Sequence, residues 1–232
     1  MPRPVGATVE ATVSVIIAAL NEEARIGVAI DSAFAAGAAE VIVADGASDD
    51  RTAGIARERG ARVIACERMR AKQLNRGAEA AAHEILLFLH ADTTLPRGAI
   101  DAVIDALERG ADFGGFRLAF DEPVAKLRIA AMMINLRTFL TRCPWGDQAQ
   151  FVRRDAFEAA GRYREIPLME DYDFAVRMKG RGRSAILPLA VRTSGRRFLQ
   201  KGVLRTAIIN WQIVWRFRRG ESPETLAKMY RG

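Results

Sequence analysis

The chain of 232 residues contains only two cysteines, Cys66 and Cys143, far apart in sequence. That excludes a disulfide framework and a paired-cysteine zinc site, so both read as buried or incidental thiols. Long apolar runs are also missing. The stretches near Ile129 and Ile208 are broken by Arg, Asn or Gln before they reach the roughly 18 residues of a spanning helix, so no span is expected. Residues 1–12 lack a charged start followed by an apolar run, which gives no secretory leader and an expected cytoplasmic location. Neither an internal repeat nor a low-complexity linker breaks the chain, and this favours one domain. Carboxylates are absent between Asp173 and Glu221, where Arg192, Arg196, Arg197, Lys201, Arg205, Arg216, Arg218 and Arg219 accumulate.

Half of the residues are hydrophobic, enough for a core without staples, and the net charge is +7 with a pI near 10.0. A basic chain suits nucleic acid, anionic lipid or phosphorylated small molecules. The first half alternates β-branched runs at 13–18, 41–44, 62–65 and 85–89 with Ala-rich amphipathic runs at 22–36, 50–59, 70–82 and 97–108. This is the pattern of βα units feeding a mostly parallel central sheet flanked by helices. Ser48 or Asp49 is placed to cap the second helix, and Gly37, Gly60 and Gly110 fall where helices should stop. After Gly110 the pattern is mixed. Strands are expected at 113–120 and 150–153, helices at 124–140, 170–179 and 203–217, and extended pieces at 185–187 and 191–193. A helix start is expected at Ser222-Pro223-Glu224. The fold class is α/β, one domain with a helical C-terminal segment.

In an open parallel sheet ligands collect beyond the carboxyl ends of the strands. Those ends read Ala19-Leu20-Asn21-Glu22-Glu23, Asp45-Gly46-Ala47-Ser48-Asp49-Asp50 and His90-Ala91-Asp92-Thr93. Taken singly, Asn21 or Ser48 reads equally well as a helix cap. Asp92 follows the apolar run 85–89, where a carboxylate is costly unless paired or bound to a cation. His90 and Asp92, two apart around the small Ala91, would face one way in extended backbone. They form a half-site for a divalent cation that neutralises a departing diphosphate.

The three stretches 13–23, 41–52 and 88–93 resemble the N-terminal signatures of family 2 glycosyltransferases. The resemblance implies a GT-A fold, with residues 1–110 as the nucleotide-sugar-binding half, 111–198 as the acceptor half and 199–232 as a C-terminal helical segment. It implies that Ala19, Leu20, Asn21, Glu22, Asp45, Ala91 and Asp92 line the nucleotide-sugar pocket, with Arg70, Gln73 and Asn75 in the segment that closes over it. Asp92 matches the last acid of the Asp-X-Asp motif that holds Mg2+ or Mn2+. Two positions depart from the pattern: Ala18 stands where a proline is common, and His90 where the first Asp is expected, which shifts preference toward Mn2+. The His-Ala-Asp variant resembles a bacterial subgroup associated with radical-SAM or selenium-related gene clusters.

In the second half, the segment 168–174 resembles the family's Glu-Asp motif, which implies Asp171, beside Glu170, as the general base of an inverting transfer from a UDP- or GDP-sugar. The alternative for Glu170, Asp171 and Asp173 is a solvated helix start. Trp145-Gly146-Asp147-Gln148 forms a second polar island: Trp145 could stack on a sugar, Asp147 is the second candidate base, and Gln148 is an acceptor contact or a plain turn residue. Arg196 and Arg197 could clamp the diphosphate. The aromatic and cationic run 204–217 could lie on an anionic membrane and meet a lipid-phosphate acceptor, or pack on the domain or in a homodimer. Two rival functions remain at this level. A sugar-phosphate nucleotidyltransferase should carry a Gly-rich loop that 18–23 lacks, and a non-catalytic basic module for membrane or nucleic acid would leave the acidic strand ends unexplained; nucleic acid is not expected as a partner.

Overall fold

The structure, a computed structural model, describes residues 12–231, so the leader reading rests on residues that lie, for 1–11, outside the described ones. The chain begins with β1 (Val13–Ala19), α1 (Ile26–Ala35), β2 (Glu40–Asp45), α2 (Thr52–Glu58), β3 (Arg62–Ala65), α3 (Arg70–Ala80) and β4 (Ile85–His90). A two-residue β5 (Thr93–Thr94), α4 (Ala99–Glu108), β6 (Phe113–Phe120) and α5 (Ala125–Thr141) follow. A 3-10 turn at Gly146–Gln148 leads into β7 (Gln150–Arg153), α6 (Arg154–Ala159), α7 (Glu170–Lys179) and β8 (Ser184–Thr193). The chain closes with α8 (Arg196–Lys201), α9 (Val203–Arg218) and α10 (Pro223–Arg231).

One eight-stranded sheet runs in the order β3-β2-β1-β4-β7-β6-β8-β5. Its first four strands are parallel, as the βα pattern predicts; β7 then runs antiparallel to β4 and to β6, β8 runs parallel to β6, and β5 antiparallel to β8. Alternation along the strands divides the core. Val13, Val15 and Ile17 of β1 join Leu87 and Leu89 of β4 against α1 and α4, whereas Ile16, Leu86 and Phe88 face α3, α6 and α7. Strands covered on both faces read as continuous apolar runs, which is why 13–17 and 85–89 stand out in the sequence.

The two extended pieces expected near 185 and 191 are one strand. Its register against β6 slips between Phe116 and Arg117, where Pro188 of β8 lacks the N–H a ladder needs. Gly37, Gly60 and Gly110 take φ of +100, +80 and +87 at the helix ends, the left-handed stop their positions predicted. Ser48 and Asp49 do not cap α2, whose N-cap position is Arg51 without a side-chain bond; Asp50 instead accepts from the Thr52 N–H at 2.9 Å. Both thiols are free, and burial pushes the Cys143 pKa up to about 11, so it stays an inert apolar filler.

The C-terminal helices close over the second core face. Ile213 of α9 and Leu226 of α10 are buried there, and Phe217 meets Tyr172 edge-on at 6.0 Å between centroids. Among the described residues no helix is long and apolar enough to cross a membrane.

Candidate active site

Parallel pairing sets the carboxyl ends of β2, β1 and β4 side by side: Ala19 lies opposite Asp45, and Ala18 opposite His90. The loops beyond them are laced together. Asp45, almost buried, accepts from the Ser48 N–H at 3.0 Å and the Ser48 hydroxyl at 2.5 Å, and that hydroxyl accepts from the Asn21 N–H at 3.0 Å. Asn21 Oδ1 accepts in turn from the Asp49 N–H at 2.9 Å, and the Glu22 N–H donates to Thr52 at 2.8 Å. Asn21 therefore binds one loop to the next instead of capping α1. Of the six non-glycine residues with positive φ among the described residues, Asn21 at 54° and Ala47 at 59° lie in these loops, and Ala149 at 47° and Met169 at 73° immediately precede β7 and α7. Backbone of this kind costs on the order of 1–3 kcal/mol per residue and collects where loops must aim side chains or N–H groups.

A second group of side chains meets beside His90. Arg70, from the first turn of α3, pairs with Glu170, lies 3.7 Å from Asp171 Oδ2 and places Nη1 3.4 Å from His90 Nε2. Asp171 Oδ2 accepts from the Gly146 N–H at 2.8 Å. The gap there is too small for a side chain, because a Cβ on Gly146 would stand 2.6 Å from Asp171 Oδ2 and 3.0 Å from His90 Nε2. Burial and the Arg70 guanidinium hold the His90 pKa down to about 4, so the imidazole is neutral at pH 7. Burial works against charge on Asp171, but the Arg70 guanidinium and the N–H groups of Gly146 and Tyr172 hold its pKa below the usual carboxylate value.

Aromatic packing fixes this arrangement from below. Phe88 of β4 contacts Phe157 at 5.2 Å and Tyr163 at 4.9 Å, and both of those rings pack on Phe174 of α7, three residues beyond Asp171. Gln150, fully buried, accepts from the Tyr163 hydroxyl at 2.8 Å and donates to the Pro144 carbonyl at 2.9 Å and the Asp171 carbonyl at 3.0 Å. The solvated helix start considered for this segment does not exist: Glu170 is 1% exposed, and Asp173, 8% exposed, is held by Arg177 at 2.7 Å.

Across the rim, Arg196 in the first turn of α8 pairs with Glu22 and lies 3.6 Å from Asp92 Oδ2, while Glu22 Oε2 is buried without a partner. The chain after β8 is tied to the chain after β4 by a Thr93–Thr193 hydroxyl bond of 2.9 Å. Arg197 stacks on Tyr230, 3.3 Å from the ring centre, and its pKa is lowered by burial and by Arg70. Asp147 lies on the other flank. Burial pushes its pKa up to about 6 despite Arg137, and its Oδ1 has no partner. Arg137 stacks over Trp145 with its guanidinium carbon 3.7 Å from the ring centre.

Several expected contacts lie behind the rim. Gln73 is buried and donates to the Ala19 and Ala44 carbonyls at 2.8 and 2.7 Å, so its amide nitrogen ties β1 to β2. Asn75, which was expected to close over a nucleotide, bonds the Tyr163 backbone. Gln148 is fully buried and does not reach an acceptor: its Nε2 donates to the Phe116 carbonyl at 2.9 Å, and its Oε1 accepts from Thr138, Arg137 and the Trp145 N–H. Glu170 likewise anchors Arg70 from below the surface. Arg137 and Gln150 were missed. An Arg deep inside α5 and a Gln opening the short strand β7 were the available signals.

No curated protein matches the chain in sequence. Solved structures do match its fold. Glucosyl-3-phosphoglycerate synthase from Mycobacterium tuberculosis, solved with Mn2+, UDP and glucosyl-3-phosphoglycerate, aligns with a TM-score of 0.56 at 22% identity, covering 82% of this chain and 76% of that one. S. aureus TarS aligns with a TM-score of 0.62 at 18% identity over 85% of this chain and 39% of that one. Residues 1–349 of TarS with UDP-GlcNAc align at 0.60 and 16% identity, covering 79% and 58%. The likeness shows the GT-A fold. The sequence profile described as Glycosyl transferase family 2 matches residues 14–160. With its signatures at three adjacent strand ends and more than half its length matched, the chain belongs to glycosyl transferase family 2.

Proposed function

We propose that the protein moves one sugar from a UDP- or GDP-linked donor to a small or lipid-phosphate acceptor, with inversion at the anomeric carbon. The observation that carries this reading is the meeting of Asp171, His90, Arg70 and the Gly146 N–H beside the rim that holds Asp45 and Asp92. Asp45, Ala19, Leu20, Asn21, Glu22 and Ala91 form the donor floor, and Arg196 and Arg197 are the cations for the diphosphate. Asp171 removes the acceptor proton as its oxygen attacks from the face opposite the leaving group. Its depressed pKa keeps it ionised at neutral pH, and the Gly146 N–H fixes the direction of Oδ2.

The residues present suit a divalent cation, Mn2+ or Mg2+. Asp92 and the unpartnered buried oxygen of Glu22 are hard donors on one patch, and His90 is neutral, the form in which an imidazole ligates. Among the described residues no three His, Cys, Asp or Glu side chains gather into a full cage, so diphosphate oxygens would complete the ligand set. Bound there, the cation would neutralise charge on the departing diphosphate. The His-Ala-Asp sequence supports membership of the radical-SAM- or selenium-associated subgroup.

A second reading makes Asp147 the base, favoured by its unpartnered oxygen and a pKa near 6. Substitution separates the two. Asp171→Asn is expected to leave calorimetric binding of the nucleotide sugar near the wild-type value and to slow nucleoside diphosphate release about 10²–10⁴-fold. Wild-type turnover in that variant would remove Asp171 from the role.

A further inference from the structure

α5 and α9 pack against each other, and each carries two apolar stripes. The inward stripes are accounted for: Leu127 and Ala131 of α5 pack in the cluster under β6, and Ile209, Ile213 and Val214 of α9 in the cluster over α7. Among the described residues nothing covers the outward stripes. On α5, Ile129, Met132, Met133, Leu136, Phe139 and Leu140 are 50–70% exposed, spaced as one helical face. On α9, Leu204, Ile208, Trp211 and Trp215 repeat the pattern at 43–75% exposure, and the two Trp rings stack at 6.5 Å.

Charge tells what kind of surface fits this face. Neither helix contains an Asp or a Glu, although the chain has 28 of them. The cations sit beside the outward aromatics: Arg219 lies 3.8 Å from the Trp215 ring centre and Arg142 5.1 Å from that of Phe139. Along the outer edge of α5 runs a groove of about 900 Å³ bordered by Met132, Leu136 and Phe139 and by Arg117, Arg128 and Arg192. Two carboxylates also border it, but Asp121 faces Arg25 at 3.5 Å and Glu122 accepts from the Gly195 N–H at 2.8 Å. A second copy docked symmetrically on this face would set Arg against Arg. An anionic bilayer meets both needs at once, taking the apolar stripes into the acyl boundary and the guanidinium groups among the headgroups.

We propose that the outward faces of α5 and α9 form a platform that docks the protein on an anionic bilayer surface, with the α5 groove seating a lipid headgroup. The proposal does not depend on which carboxylate is the catalytic base.

Co-sedimentation of the full chain with vesicles tests it, using phosphatidylcholine alone and phosphatidylcholine mixed with phosphatidylglycerol. Binding to the mixed vesicles only, weakened by salt, is expected, together with a blue shift of Trp emission and quenching by brominated lipid as Trp211 and Trp215 enter the interface. Leu136→Glu with Trp211→Glu should lower partitioning roughly tenfold or more, and Arg218→Glu with Arg219→Glu by roughly tenfold. Melting temperature and nucleotide binding are measured in parallel to show that the variants fold. Equal binding by folded variants, no binding to either vesicle, or a lipid-free dimer in sedimentation velocity that these substitutions dissolve would overturn the proposal.

Discussion

At the scale of single residues, the site is a set of charges whose protonation is decided by neighbours. Asp171 and Asp147 are both carboxylates near the Gly146 turn, yet their pKa values move in opposite directions. Asp171 is surrounded by Arg70 and N–H donors, whereas Asp147 is desolvated with one oxygen unpartnered. A general base acts when deprotonated, so activity rises as pH climbs through its pKa. With Asp171 as base, the acid limb of kcat/KM lies below the ordinary Asp range, and the profile is flat as pH rises from about 5 to 8. A limb centred near pH 6 that disappears in Asp147→Asn would transfer the role to Asp147. His90 stays neutral through that range, which suits a ligand or a proton-free spacer better than an acid.

At the scale of elements, function depends on how closely β4, α7 and the 146–148 turn approach one another. Gly146→Ala is expected to leave the melting temperature nearly unchanged and to lower kcat on the order of a hundredfold, because the added methyl displaces Asp171 and His90. Steady-state kinetics beside a thermal melt checks this, and a fully active Gly146→Ala would show that the tight approach is incidental. The same elements show what was legible beforehand. The parallel strands could be read because burial on both faces leaves 85–89 of β4 wholly apolar and β1 broken only by Ser14. Their loop acids stood out because carboxylates rarely follow such runs. What stayed hidden was decided by contacts distant in sequence. Gln73, Asn75 and Gln148 look like ligand contacts on a linear reading, but each satisfies backbone carbonyls 29 to 88 residues away that would otherwise be buried unpaired. Likewise β5 is two residues long and exists only because β8 pairs with it, and α6 and α8 have six residues each, too short for a helical period to show.

At the scale of the whole molecule, charge is segregated. Carboxylates line the carboxyl ends of the parallel strands, while the stretch from Phe174 to Gly220 has none. Part of the basic excess reaches the rim through Arg196, beside Glu22 and Asp92, and part lies by the outward aromatics of α5 and α9 through Arg142 and Arg219. α5 also reaches the site, since Arg137 stacks on Trp145 next to Asp147. A bilayer docked on α5 as proposed would therefore lie near the Trp145 and Asp147 flank, which suits a lipid-anchored acceptor in the proposed reaction.

In the proposed reaction, acids from separate loops grip a cation and the diphosphate it neutralises. Thermal denaturation with UDP- and GDP-sugars, with and without Mn2+, tests this most directly. One donor is expected to raise the melting temperature only when metal is present, and Asp92→Ala to abolish the rise. If no nucleotide sugar stabilises the protein with either Mn2+ or Mg2+, or if Asp92→Ala responds like the wild type, Asp92 does not hold a cation against a diphosphate.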